Sequence, residues 1–436
     1  MCVENDARLI FLNTLEAINP LHAIREKVRV RQDLMMVEEQ EIDLASYKEI
    51  LLIGLGKASL TMGAAMEGLL GARISRGLLV CDRPQNVPVK SEVIIAGHPT
   101  PDSESLRAGE KILSMVRYCA QDSLIIFLVS GGGSALVESL ASASISLLDL
   151  KEMNRALVTC GASIAEINII RKRISRIKGG RLGYLARDVP SAAFYLSDVN
   201  PGDLRSLASN PLLPETPDSE ALRAVIDKYR LGERLPETVL DVLHRAPSDE
   251  KTSWSGKRIC DLLLMDNLEA LKVAAKISEE AGYIVEIDTS HVEGYYRDVA
   301  DALIDRLMAL QERFSSRPVC LISGGEVSCP VAGKGLGGRN QEFVLYCAAR
   351  LEERDSPTRT AVLSSGTDGI DGNSDAAGSV ASPETIRASR DQGIDIAGYF
   401  QNSDSHSFFR RMGGLICTGP TGNNVRDIRI LISRPE

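Results

Sequence analysis

The sequence predicts an α/β protein of two domains, each a sheet flanked by helices, and three observations carry that prediction. At 436 residues the chain is too long for one ordinary core. Short apolar runs alternate with amphipathic stretches along its whole length. Seven glycine-rich turns, at 54–59, 130–134, 178–181, 323–326, 335–340, 366–372 and 418–424, almost all follow such a run and carry a charged residue beside the glycines. Glycine lets backbone N–H groups converge on a phosphate, and a helix that starts there adds its positive end. The turns therefore point to an enzyme that handles phosphate.

Taken in order, Leu9, Leu12, Leu15 and Ile18 recur at helical spacing, and Ile50-Leu51-Leu52-Ile53 reads as a buried strand running straight into Gly54. Strands are expected again at 77–81, 92–96, 124–129 and 193–196, with helices such as 58–70 and 105–120 between them. That alternation implies a mostly parallel, Rossmann-like sheet covered on both faces, with ligands at the carboxyl ends of its strands, where the turns fall. Over 211–257 the texture changes: Pro211, Pro214, Pro217, Pro236 and Pro247 interrupt charged helical segments. This stretch reads as a linker or inter-domain helical element, and the domains are expected at 1–246 and 257–436. The second block shows helix 267–281, strand 283–287, helix 297–314, strand 318–322, helix 341–351 and strands 359–363 and 428–432, another α/β unit. A strand followed by Ser-Gly-Gly occurs twice, at 124–133 and 319–326, a weak sign of duplication.

A formal charge of -9 argues against a nucleic-acid partner, and the basic residues cluster near the glycine turns, which suits a small anionic ligand. Nine cysteines are scattered singly with no C-x-x-C, as expected of reduced core residues. The first 20 residues lack a basic segment ahead of an apolar stretch, and no run approaches the roughly 20 apolar residues of a membrane span. A cytoplasmic protein without a membrane partner is expected.

Gly54-x-Gly56-Lys57-x-Ser59 lacks the spacing of a P-loop and is an incomplete dinucleotide fingerprint. Its glycines could simply turn the chain, but a lysine at the start of a helix opposes the dipole and is better placed to meet an anion. The stretch 168–183 holds an amphipathic helix with Ile170, Ile174 and Ile177 on a face, capped by Gly179; its cations Arg171, Arg173, Arg176 and Lys178 either suit a helix C-terminus or sit over a phosphate or carboxylate. Asp198, just past the strand at 193–196, is a helix cap, a turn residue or a base. Asp368 and Asp371 resemble a hard-cation loop without the glutamate that closes an EF-hand. Residues 333–342 are the most specific stretch: its glycines and two cations read as no packing device, and Arg339 presents a planar donor fork. The five histidines show no mutual spacing that would support a metal site or a Ser-His-Asp triad.

The ordered set resembles the glycerate 2-kinases of the MOFRL family over nearly the whole chain. The residues that carry the resemblance are Gly56-Lys57-Ala58, His98-Pro99-x-Pro101-Asp102, Ser130-Gly131-Gly132-Gly133-Ser134-Ala135, Asn168 to Arg171 with Lys178 to Leu182, and Leu196 to Val199 with Gly202-Asp203. Ser323 to Glu326, Gly337 to Glu342, Gly366 to Gly372, Thr418 to Gly422 and Asn424-Val425 continue it. The resemblance implies transfer of the ATP γ-phosphoryl group to the 2-hydroxyl of D-glycerate with a divalent cation. It also implies an N-terminal Rossmann-like domain beside a C-terminal α/β domain with a mixed sheet, and an active site in the cleft. Lys57, Asp198 and Arg339 become the expected catalytic core. Gly56, Ser130, Gly131, Gly132, Gly133, Ser134, Gly337, Gly338 and Asn340 are expected on the nucleotide, Arg171, Lys178 and Glu326 on the substrate, and Asp368 and Asp371 on Mg2+. A homodimer is compatible with this set.

The chain departs from the family pattern at Asn210, Asn423 and Arg426, and Arg173 stands where a histidine is common. An NAD(P)H-dependent hydroxypyruvate reductase would use Gly54-x-Gly56 and Asp82, but has no use for the phosphate turns of the second half. A non-catalytic metabolite sensor is disfavoured by retention of Lys57, Asp198 and Arg339. A kinase of another small hydroxy acid remains open.

Overall fold

A computed structural model describes residues 3–245, 256–354 and 359–435. It has two compact units, Pro20–Leu264 and the pair of segments Met1–Asn19 and Met265–Glu436.

Strands of the first unit are β1 (Val28–Arg31), β2 (Leu34–Val37), β3 (Gln40–Asp43), β4 (Glu49–Leu55), β5 (Ile74–Cys81), β6 (Glu92–Ile95), β7 (Ser123–Ser130), β8 (Ser191–Leu196) and β9 (Arg258–Met265). The first three form an antiparallel meander, which the sequence reading did not anticipate. The other six form one sheet in the order β6-β5-β4-β7-β8-β9, parallel from β6 through β8. Every residue of β7 and β8 is buried, as strands covered on both faces require. Leu51, Ile53, Phe127, Val129 and Tyr195 lie in the resulting core. β4, β5 and β6 build outward on one side while β7 and β8 build on the other, so the β4–β7 neighbours mark the point where strand order reverses.

Two expectations for this unit change. The region read as a linker or an inter-domain helical element is helical over its described part and belongs to this unit's own core: helices Ser219–Lys228 and Glu237–His244 bury Leu222, Val225, Ile226, Val239 and Leu243 beside Leu150, Met153, Leu157 and Ile170. The helix expected to run to a cap at Gly179 ends at Arg173. Beyond it, Ile174 O accepts from Ala141 N and Arg176 N donates to Ser139 O, so the segment pairs with 139–141.

In the second unit, β10 (Ile284–Asp288), β11 (Val319–Gly325), β12 (Arg359–Gly366), β13 (Gly378–Ala381), β14 (Leu415–Ile416) and β15 (Asp427–Arg434) form a sheet in the order β10-β11-β15-β12-β13-β14. β10 and β11 are parallel and β15 runs antiparallel between β11 and β12, so the sheet is mixed. The first helix, Val3–Ala17, belongs here: Tyr283 donates to Asp6 at 2.8 Å, Arg434 pairs with Asp6 at 2.7 Å and Arg8 donates to Leu415 O at 2.9 Å. The expected domains 1–246 and 257–436 therefore differ from the observed units at both ends of the first segment. Proline and charge marked the boundary in the sequence, whereas long-range pairs such as Asp6–Arg434 leave no local signature. Residues 246–255 of that boundary lie outside the described residues.

Candidate functional site

In the first unit the site is built on the carboxyl ends of the adjacent strands β4, β7 and β8. Lys57 lies two residues past β4, and its amide donates to Gly131 O at 2.8 Å, tying the two glycine turns together. Gly56 has φ +120, and a Cβ there would stand 2.2 Å from Ser130 Oγ. Ser130 Oγ in turn accepts from Ala58 N at 3.1 Å, at the head of helix Ser59–Leu70. Gly56 and Ser130 are thus scaffold, in place of the phosphate contacts expected of them. Gly133 is likewise a packing position, since a Cβ would meet Leu55 Cδ1 at 2.7 Å and Ala208 Cβ at 2.9 Å.

Gly132 differs. Its φ is +82, and a Cβ there would stand 3.1 Å from Lys57 Cγ and 3.2 Å from the His98 ring. Lys57, Gly132 and His98 therefore converge at the carboxyl ends of β4 and β7, where the strand order reverses, the position at which open α/β sheets bind ligands. Asp198, half-buried, follows β8 at the same edge. His98 was not among the expected site residues, although it stands in the motif that carries the resemblance.

A second layer supports that edge. Ser134 Oγ is 2.8 Å from Ser209 Oγ, and Ser209 donates to Asn168 Oδ1 at 2.9 Å. Ser209 sits in a turn where Ala208, Ser209 and Asn210 all have positive φ, +50, +57 and +55. Each such non-glycine residue costs roughly 1–2 kcal/mol, so the turn persists only because its surroundings hold it. Gly179 N donates to Ser209 O at 3.1 Å and Gly180 N to Asn210 O at 2.6 Å. The Lys-Gly-Gly-Arg turn thus grips backbone carbonyls. The departure at Asn210 is also accounted for: asparagine tolerates this backbone better than most residues, and its side chain bonds Leu213 and Glu215.

Lys178, expected on the substrate, is buried in an ion pair with Glu138, which also accepts from Ser175 and from Ser139 N. Burial pulls its ammonium below the usual lysine range against the pull of Glu138. It is a structural cation and cannot reach a ligand. Arg171, the other candidate, is mostly buried and donates Nε to Asn154 Oδ1 at 3.1 Å; burial lowers its pKa.

In the second unit Arg339 opens helix Arg339–Glu353. Its Nε and Nη2 hold Asp427 at 2.6 and 3.0 Å, and Nη2 also pairs with Glu326 at 2.9 Å. One edge of the expected fork is therefore committed, leaving Nη1. Burial raises the Glu326 carboxyl, opposed by Arg339. Burial would raise Asp427 too, but Arg339, with Arg429 behind it, holds it below the usual range. Arg429 is wholly buried, donates to Gly324 O at 2.6 Å, and has its pKa lowered to about 10 by burial.

Two expected ligand contacts in this unit, Asp371 and Asn340, are committed to packing instead. Asp371 is buried and accepts from the backbone of Asn340 and Gln341 and from both their side chains, capping the helix. Burial pushes its carboxyl up to about 6, and with its lone pairs spent it is no metal ligand. Asn340 is buried between Asp371 and Ser364. A Cβ on Gly338 would fall 2.2 Å from Asp371 Oδ1, and one on Gly337 2.4 Å from Ser405 Oγ. Asp368 accepts from Ile370 N, closing its own turn. Among the described residues no three His, Cys, Asp or Glu side chains are grouped to hold a metal ion.

A cavity of about 380 Å3 in this unit is lined by Val327, Cys329, Gly337, Arg339, Glu342 and Asn373, among others. Glu342 is 5% exposed, and burial pushes its carboxyl up to about 7 against the pull of Ser405 and Arg297. The native state then keeps this proton up to a higher pH than the unfolded chain, so stability drains away between about pH 4.5 and 7 and levels off above. Glu342→Gln is expected to be more stable than the parent at pH 8 by on the order of 2–3 kcal/mol and to gain little at pH 4.5. Urea unfolding at the two pH values checks this; an equal gain at both would refute it.

Sequence reasoning missed Asp427, Arg429, Ser209 and Asn168 as members of these clusters. Arg429 lies in what reads as a plain apolar strand at 428–432 and Asp427 directly precedes it, and only their burial reveals them.

Comparison with known proteins agrees with this architecture. Residues 6–244 match a domain of unknown function, DUF4147, and residues 319–427 match the MOFRL family. A glycerate 2-kinase from Pyrococcus horikoshii is 31% identical over 96% of this chain and 94% of its own length. A protein from Agrobacterium vitis that bears the name hydroxypyruvate reductase provisionally is 36% identical over 88% of this chain and 98% of its own. The crystal structure of a glycerate kinase from Thermotoga maritima superposes with a TM-score of 0.82 at 31% identity, covering 98% of both chains.

Proposed function

Because the chain belongs to the glycerate kinase family that joins the DUF4147 and MOFRL regions, we propose that it transfers the γ-phosphoryl group of ATP to the 2-hydroxyl of D-glycerate, giving 2-phosphoglycerate and ADP. The observation that carries this reading is the convergence of Lys57, Gly132 and His98 at the reversal point of the parallel sheet, with Asp198 at the end of the neighbouring strand.

Phosphoryl transfer asks a protein chiefly to position its reactants and neutralise charge. Lys57 supplies a cation beside Gly132, whose lack of a side chain lets a phosphate approach the backbone. Asp198 accepts the proton of the acceptor hydroxyl or orients it. Arg339, its plane fixed by Asp427, is the second cation that the resemblance to the family assigns to developing negative charge. Arg171 is the remaining candidate for the carboxylate of glycerate. Magnesium would arrive with the nucleotide: such an ion keeps several waters and takes few protein ligands beside the phosphates, and when bound it offsets phosphate charge. The reading places the enzyme in the cytoplasm.

A coupled assay of ADP release, run over glycerate and related small hydroxy acids, tests it. ADP release that depends on D-glycerate, with 2-phosphoglycerate as product, is the expected outcome. NADH oxidation with hydroxypyruvate and no glycerate-dependent ADP release would replace the kinase by the reductase.

A further inference from the structure

The hydrogen bonds behind the glycine turn at 130–134 have a direction. Ser209 owns one hydroxyl proton and donates it to Asn168 Oδ1 at 2.9 Å, an oxygen that can only accept. The 2.8 Å contact between Ser134 Oγ and Ser209 Oγ then has one donor left, Ser134. With its proton spent, the Ser134 oxygen meets its surroundings with lone pairs alone. Ser134 is half-buried, while Ser209 and Asn168 behind it are 1% and 4% exposed, so the relay is shielded from water that could reorder it. The turn that carries Ser209 is locked in a costly backbone conformation by the amides of Gly179 and Gly180, and that turn packs Ala208 against Gly133.

An oxygen that can only accept is wrong for a bare phosphate, whose oxygens also only accept. It is right for the cation a phosphate carries. Of the two carboxylates expected to hold that cation, Asp371 does not fit it, because it is saturated by the head of a helix.

We propose that the Ser134 hydroxyl, its proton committed through Ser209 to Asn168, is a direct oxygen ligand of the divalent cation that accompanies the nucleotide. This rests on the kinase reading in that the cation arrives with a nucleoside triphosphate. Ser209 and Asn168 are positioning residues: they act only through Ser134.

The test measures Mn2+ binding by electron paramagnetic resonance in the presence of a non-hydrolysable ATP analogue, alongside the affinity for the same analogue without metal. Ser134→Ala is expected to weaken Mn2+ binding at least tenfold and to leave metal-free analogue binding within about threefold. Ser134→Cys, with a soft ligand in place, is expected to shift preference from Mn2+ toward Cd2+. Asn168→Leu, apolar and of similar size, releases the Ser209 proton and is expected to weaken Mn2+ binding less than Ser134→Ala does. Unchanged Mn2+ affinity in Ser134→Ala overturns the proposal. An equal loss of metal-free analogue binding overturns it too, since Ser134 would then be donating to phosphate. Glycerate-dependent ADP release by the parent separates the two readings: if it occurs while the Mn2+ arms are flat, the cation ligand alone is wrong, and if it is absent the kinase reading fails whatever the Mn2+ arms show.

Discussion

Exchanging Arg339 for lysine lowers kcat roughly ten- to a thousandfold, about 1.4 to 4 kcal/mol in barrier, while changing nucleotide affinity much less. Lysine keeps the charge and loses the plane. In the parent, Nε and Nη2 are pinned on Asp427 and Nη2 on Glu326, which fixes where Nη1 points. A lysine ammonium cannot hold the wholly buried Asp427 in two places and face a ligand as well, so stability falls along with turnover. Steady-state kinetics varied in each substrate, with thermal unfolding beside it, separates the roles. A loss confined to the KM for glycerate would make Arg339 a carboxylate clamp. Constants within about threefold of the parent would leave it a structural partner of Asp427 alone.

Lys178→Met costs about 3–5 kcal/mol of folding stability, the penalty for stranding a buried charge. Both members of the Lys178–Glu138 pair are 2% exposed at the side chain, so water cannot take over from the lost ammonium. The double variant Lys178→Met/Glu138→Gln recovers most of that loss, because neither half of the pair is then left as a buried charge without its partner. Chemical unfolding of the parent, both single variants and the double variant closes the cycle. A loss below about 1 kcal/mol in Lys178→Met would show that the ammonium is not confined to Glu138, and would return Lys178 to the substrate-binding candidates.

Much of the fold was legible because β4, β7, β8 and β11 are buried on both faces and centre on continuous apolar runs, and because short apolar stretches mark β12 and β15 as well. The short antiparallel pieces were not. β1, with alternating Val and Arg, and β13, Gly-Ser-Val-Ala, carry too little apolar signal to stand out.

The candidate site was half legible, and the reason lies in glycine itself. Gly132, beside Lys57 and His98, and Gly338, against Asp371, look alike in a sequence, since a ligand and a neighbouring side chain both exclude a Cβ. The second Ser-Gly-Gly turn shows the same ambiguity: a Cβ on Gly324 would meet Asn267 Oδ1 at 2.0 Å, and one on Gly325 would meet Val292 O at 2.0 Å. Charge misled in the same way. Lys178 reads as an anion contact until the structure shows Glu138 wrapped around it, 40 residues away in sequence.

The helix Val3–Ala17 packs with strands that the chain reaches only after residue 264. During synthesis its inward face, Ala7, Ile10 and Phe11, leaves the ribosome long before anything exists to cover it. At about 5–20 residues per second that wait lasts roughly 12 to 50 seconds, while the intervening unit emerges and can fold. This segment is thus made well before the segment it packs on and is buried only after that segment has emerged. Moving it to the far end of the gene by circular permutation would shorten the wait without altering any contact within its unit.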